Sequence, residues 1–392
     1  MKRAHGIALI LIIIGLIGLA VLAFALGPKS KIRPASFISS VNTVKPTETA
    51  KAVPAYTPTP AGADLKIVAV GDILLGRGVE TMLKRAHRDY TYPFEKVSGL
   101  LKEGDIIFGN LEEPVTDSIN SLTGIERGGK IVLKNKVEAF EAIKYAGFNL
   151  LNLANNHILD YYDKGLYDTL DILDRNGIAH AGAGKNLDEA RKPAIILKNG
   201  LKIGLLSYTD MSEILYKGNP PIRFAADKGK AGVAPVNTEY IREDIAKIRS
   251  MVDILIVSFH WGKEESFEVL PEQIKLAHGL IDNGADIILG HHPHQFQGVE
   301  IYRGKPILYS MGNFIFDQND PENQESFILK FEYKGKKLEG FTAVPVRIEG
   351  KTQVVPQYGM DAVSMINREV DLSMKLGSKC EISDGKIVFV LN

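Results

Sequence analysis

Cysteine is nearly absent. Cys380 is the single one among 392 residues, which excludes an intramolecular disulfide and any cysteine-built metal cluster. Its distance from the amino terminus also excludes a lipid-modified cysteine there. Net charge is absent as well, because 47 basic side chains balance 47 acidic ones. A chain without basic excess has no global attraction for nucleic acid. No internal repeat is visible. The composition, 45% hydrophobic and 24% charged, is that of a globular protein, and the length accommodates one large domain or two smaller ones.

The amino terminus is the exception. Lys2 and Arg3 precede an uncharged run, 6–27, rich in Ile, Leu and Ala, long enough to cross a bilayer about 30 Å thick. The basic flank would stay in the cytoplasm and the remainder would lie outside the membrane. Ala23-Phe24-Ala25 resembles a small-residue cleavage site, so a removed signal peptide competes with a retained anchor, although the run exceeds the usual apolar length of such peptides. Residues 28–63 change to Pro, Thr, Ser, Ala and Lys, a composition that cannot offset its ordering entropy. The expected organisation is therefore an anchor or signal over 1–27, a linker over 28–63, and one domain over 64–392 held outside the membrane.

Within that domain, short apolar runs alternate with helical periods. Strands are expected at 65–70, 105–108, 148–153, 201–206, 253–257 and 285–289, and helices at 136–146, 165–176, 238–251, 271–283 and 361–376. This alternation argues for an α/β fold. After residue 296 the pattern becomes short runs joined by Gly/Lys turns, at 299–302, 306–309, 327–333 and 341–349, with a last strand at 386–391. Such chemistry is antiparallel and predicts a second sheet facing the first.

The stretch 290–317 carries the densest chemistry. His291, His292 and His294 follow an apolar run, and loops at the carboxyl ends of strands are where open α/β sheets bind ligands. Asp72, Glu112, Asn156-His157 and His260 each stand at the end of another such run, so one sheet could bring them all to one edge. Carboxylate, amide oxygen and imidazole together suit Zn²⁺, Mn²⁺ or Fe²⁺ better than an all-oxygen calcium cage. A site with two such ions would use Glu112, or its neighbour Glu113, as a bridging carboxylate, and His157 would protonate a leaving group or stabilise charge in the transition state. The plainer alternatives are that Asp72 and Asn156 cap helices and that His260 is a core histidine.

These residues also carry a family resemblance. Gly71-Asp72-Ile73-Leu74-Leu75-Gly76-Arg77, Gly109-Asn110-Leu111-Glu112, Asn155-Asn156-His157, His260-Trp261-Gly262, Gly290-His291-His292-Pro293-His294 and Tyr309-Ser310-Met311-Gly312-Asn313-Phe314 occur in the order found in the CapA family of bacterial capsule-synthesis proteins. That family is associated with poly-γ-glutamate capsule and with a calcineurin-like metallophosphoesterase fold. The resemblance implies a two-sheet β-sandwich flanked by helices, a four-layer αββα arrangement. It implies Asp72, Glu112, Asn156, His260, His292 and His294 as metal ligands and His157 beside the leaving group. One departure stands out: metallophosphoesterases usually begin with Asp-x-His, and here Leu74 occupies the histidine position. The site would then hold one ion, or two of unequal affinity. Arg77, with Lys130 as a further candidate, would hold substrate charge, since a guanidinium fork matches carboxylate and phosphate.

Three functions follow as expectations. The first is a membrane-tethered, metal-dependent hydrolase acting on an anionic capsule polymer or its precursor. The second is a non-catalytic metal- and polymer-binding component working with capsule export proteins. The third is a general phosphatase at the cell surface.

Overall fold

A computed structural model describes residues 64–123, 131–216 and 222–391. The expected anchor, the linker and Lys130 lie outside these residues. No helix among the described residues is long and apolar enough to cross a membrane.

Two sheets organise the described chain, one of ten strands and one of six. In chain order their strands are β1 (Asp64–Ile73), β2 (Ile106–Leu111), β3 (Leu150–Asn152), β4 (Ala179–Ala181), β5 (Ala194–Lys198), β6 (Leu201–Thr209), β7 (Ile254–His260) and β8 (Ile287–His291). They continue as β9 (Val299–Tyr302), β10 (Lys305–Leu308), β11 (Asn313–Ile315), β12 (Glu325–Lys334), β13 (Lys337–Glu349), β14 (Gln353–Pro356), β15 (Cys380–Ser383) and β16 (Lys386–Phe389). The larger sheet runs β15-β16-β13-β12-β1-β2-β3-β4, with β11 beside β1 and β14 beside β13; the smaller runs β9-β10-β8-β7-β6-β5. Strands β1 to β4 are parallel, and so are β6, β7, β8 and β10.

The two-sheet α/β sandwich agrees with the sequence, but its partition corrects two expectations. The strands after residue 296 do not make a sheet of their own. β9 and β10 extend the smaller sheet, whereas β12 and β13 pair antiparallel beside β1 in the larger one. Nor does one sheet carry all the candidate ligands, because the two parallel halves belong to different sheets.

Side-chain periodicity explains the layering. Strand residues alternate between faces. Leu65, Ile67 and Ala69 therefore enter the layer between the sheets with Ile203, Leu205, Ile256 and Leu289. Val68 and Val70 face the other way, onto Leu166, Leu170 and Leu173 of the helix Tyr162–Arg175. Across the smaller sheet, Leu206, Leu255 and Val257 meet Ile241 and Ile245 of the helix Thr238–Ile248 and Leu280 of Pro271–Asp282. Strands covered on both faces read as continuous apolar runs, which is why the sequence shows runs here and not alternation. Each such fully buried aliphatic side chain contributes about 1.5–3 kcal/mol.

One segment, 309–313, joins the sheets where the candidate ligands lie. Met311 N–H donates to Gly290 O at 2.9 Å, and Asp72 N–H donates to Gly312 O at 2.9 Å. The Trp261 indole N–H donates to Tyr309 O at 2.9 Å. The segment passes so close that a Cβ on Gly290 would stand 1.9 Å from Tyr309 O. A backbone carbonyl cannot swing aside as a flexible side chain can. Gly290→Ala is therefore expected to destabilise the protein by about 3 kcal/mol, the upper range for overpacking, measured by denaturant unfolding. An unchanged midpoint would show that the two sheet ends are not held this closely.

Candidate metal centre

The site forms where the carboxyl ends of two parallel strand sets meet. The larger sheet supplies Asp72 at the end of β1, Glu112 just after β2 and Asn156 after β3; the smaller supplies His260 at the end of β7 and His292 and His294 after β8. All six side chains are buried. Asp72 lies within a strand, and the helix Arg77–Arg85 takes Gly76 as its N-cap, so Asp72 is no helix cap.

Asp72 is held on several sides. The Asn110 amide donates to Asp72 Oδ1 at 2.8 Å, His291 Nδ1 lies 2.9 Å from the same oxygen, and His294 Nδ1 lies 3.6 Å from Oδ2. Burial alone would raise its pKa, but the His291 hydrogen bond and the charges of His291 and His294 outweigh burial and lower it. Asn156 Oδ1 lies 2.9 Å and His292 Nδ1 3.1 Å from His260 Nε2. A zinc–nitrogen bond of about 2.0–2.1 Å places neighbouring ligand atoms roughly 3.0–3.4 Å apart. Both separations from His260 Nε2 are therefore close to those between neighbouring atoms of a coordination shell. Burial, followed by the neighbouring imidazoles, pushes His260 well below the usual histidine range, so its ring is neutral and able to ligate.

Glu112 is the least satisfied residue of the site. Both its carboxylate oxygens are buried without a hydrogen-bond partner, whereas buried polar groups are normally paired. Burial first, and the Asp72 carboxylate second, push its pKa well up. Yet ligand atoms of Asp72, Glu112 and His260 lie within 4.8 Å of one another. An orphaned carboxylate facing a second carboxylate and a neutral imidazole is a donor set that a divalent cation would complete. Its neighbour Glu113 is placed differently. Glu113 Oε1 accepts the Leu75 and Gly76 N–H groups at 2.6 and 3.1 Å, which leaves it tied to the loop after β1. Burial outweighs those bonds and pushes Glu113 up to about 8.

Backbone strain gathers at the same place. His292 and His294 adopt φ of 99° and 62°, a region that non-glycine residues enter at a cost of about 1–3 kcal/mol.

His157 stands next to Asn156 but does not join the cluster by a hydrogen bond. Its Nδ1 lies 2.7 Å from Asp160 Oδ2, which also accepts the Leu133 N–H at 2.7 Å. A carboxylate only accepts, so Asp160 fixes the proton on Nδ1 and leaves Nε2 as the working atom. Arg77 is engaged by Asp317: its Nε donates at 2.7 Å and a terminal nitrogen pairs with the second carboxylate oxygen. Two of its five donors are thus used. Leu74 is buried in the apolar cluster on the helix side of the larger sheet.

Sequence reasoning missed several residues that order the site. Asn110 links the two halves, donating to Asp72 and lying 3.3 Å from His260 Nδ1, and it accepts from Asn152 at 2.8 Å. Asn155 accepts the His157 and Ile158 N–H groups. His294 Nδ1 lies 2.9 Å from Asn313 Oδ1, on the segment that joins the sheets. Asn110 was detectable, since it sits two residues before Glu112 in a strand. Asp160 was detectable only as an acid three residues after His157.

With this geometry in place, the chain can be compared with known proteins. Residues 66–318 match the family described as bacterial capsule synthesis protein PGA_cap. The PGA biosynthesis protein CapA of Bacillus subtilis is 34% identical over 321 residues, covering 82% of this chain and 80% of that protein. The capsule biosynthesis protein CapA of Bacillus anthracis is 31% identical, covering 84% and 78%. Among solved structures, a Staphylococcus aureus protein described as a candidate 5'-nucleotidase, in complex with α-ketoglutarate, aligns with TM-score 0.41 and 13% identity over 80% of this chain and 58% of that one.

Proposed function

This chain belongs to the bacterial capsule synthesis family PGA_cap, and from that premise we propose that it is a metal-dependent hydrolase of capsule biosynthesis acting on an anionic polymer or its precursor. The observation that carries the reading is Glu112, whose buried oxygens have no partner beside Asp72 and His260. Asp72, Glu112, Asn156, His260, His292 and His294 would hold one or two ions of Mn²⁺, Zn²⁺ or Fe²⁺. A divalent ion there supplies positive charge that polarises a phosphoryl or acyl oxygen and makes water more acidic. As an imidazolium whose Nδ1–H is held by Asp160, His157 would give its Nε2 proton to the leaving group and be left protonated on Nδ1 alone. The three guanidinium donors of Arg77 not used by Asp317 face substrate charge. The run 6–27 holds the domain on the outer side of the membrane, near capsule export proteins.

A non-catalytic role in binding metal and polymer is the second reading, supported by Leu74, which places an apolar side chain where a ligand histidine is expected.

Metal content, measured by mass spectrometry on the full-length protein in mild detergent, tests the proposal together with turnover of a chromogenic phosphodiester and of a γ-glutamyl amide. One or two ions per chain, lost in Asp72→Ala, with turnover of either substrate, is the expected result. Metal without turnover favours the binding role, and a protein that takes up no Mn²⁺, Zn²⁺ or Fe²⁺ overturns both.

A further inference from the structure

A cleft of about 620 Å³ opens beside the metal centre, lined by Arg77, Arg85 and Lys351, with Asp317 as its one acidic residue. Both oxygens of Asp317 are taken, by Arg77 and by the Gly78 N–H at 2.9 Å. Among the described residues neither Arg85 nor Lys351 forms an ion pair, and the polar neighbour of Arg85 is the Met82 sulfur at 3.9 Å. The one carboxylate on the same helix does not compensate, because Glu80 is paired to Lys84 and Lys136. Among the described residues the cleft thus keeps two cations without an ion pair, in a protein of zero net charge.

Its position relates it to the site. The Phe316 ring lies 4.8 Å from the His294 ring and 5.8 Å from the Arg77 guanidinium carbon, so it links His294 of the metal centre to Arg77 on the wall of the cleft. Lys351 is held there against its own backbone preference. It follows Gly350 in the turn between β13 and β14, with φ of 60°, where glycine or asparagine would be less strained.

We propose that this cleft is an anion subsite which takes a carboxylate-bearing segment of the substrate chain adjoining the bond held at the metal centre, with Arg85 and Lys351 as its specificity residues. The inference rests on the anionic-polymer reading above. Separated carboxylates along a flexible chain suit cations that stand on different elements, a helix and a turn, better than a compact anion does. Each exposed pair contributes little alone, so recognition comes from several such contacts and weakens as salt rises.

The test is binding of a fluorescent oligo-γ-glutamate to the full-length protein, measured by anisotropy at two salt concentrations. R85E/K351E is expected to weaken binding at least tenfold and R85Q/K351Q by less, while metal content and thermal unfolding stay as in the parent. Affinity within twofold of the parent in R85E/K351E overturns the subsite, as does a parent protein that does not bind the oligomer. Displacement of the oligomer by inorganic phosphate at equal charge overturns the assignment to carboxylate. Failure of the hydrolase reading is separable: it would appear as absent turnover in the parent protein while oligomer binding still depended on Arg85 and Lys351.

Discussion

Glu112→Gln is expected to abolish divalent-metal loading and hydrolysis while leaving a folded protein that, without metal, is more stable than the parent near neutral pH. Loss of an outer partner of a metal ligand costs about 10–100-fold in metal affinity, so loss of a ligand itself should cost more than about 100-fold. The stability gain has a separate origin. The Glu112 carboxylate is buried without a partner, and an unpaired buried charge costs more than the neutral amide that would replace it. Its pKa in the folded protein is raised by burial and then by Asp72. A raised folded pKa means that its stabilisation is fully present below the unfolded carboxyl value and is lost as pH rises through the folded one. The advantage of the glutamine variant should therefore vanish near pH 4.5, the ordinary value for a glutamate, and widen upward. Glu113, pushed up to about 8, remains in both proteins, so part of the slope persists. Thermal unfolding in chelator at pH 5 and pH 8, beside metal analysis, checks both parts. A variant that still loads metal at parental stoichiometry would remove Glu112 from the centre.

His157→Ala is expected to lower turnover by about 10²–10⁴-fold, the range for a positioned acid–base group, with metal content unchanged. The second half of that statement matters more. His157 has no hydrogen bond to the ligand cluster; its ring is held by Asp160. Removing it should spare the ions, whereas removing His260 or His292 should not. Asp160→Asn should reproduce part of the loss, because a neutral amide stabilises the imidazolium that donates from Nε2 less well than a carboxylate does. Its signature would be an altered pH–rate profile with metal content intact. A fall in metal content alongside turnover in His157→Ala would instead make His157 a structural support of the centre.

The amino-acid sequence by itself determined the strand–helix alternation, the apolar runs of the doubly covered strands and the residue types of the site. The runs were legible because β1, β2, β7 and β8 are buried on both faces and need apolar side chains at nearly every position. The histidines and carboxylates were legible because each sits where such a run stops. What the sequence did not determine was partnership. Local pattern places β12 and β13 as antiparallel strands but does not say whether they join β1 or form a sheet apart, since register is decided by contacts far along the chain. For the same reason Asp72 and His291, 219 positions apart, share a hydrogen bond that no local spacing announces. Nor could sequence show that Arg77 would meet Asp317, 240 positions away, or that Glu112 would be left buried without a partner. Only the tertiary structure decided these, because they depend on how two sheets close on each other across the segment that holds Gly290 against Tyr309.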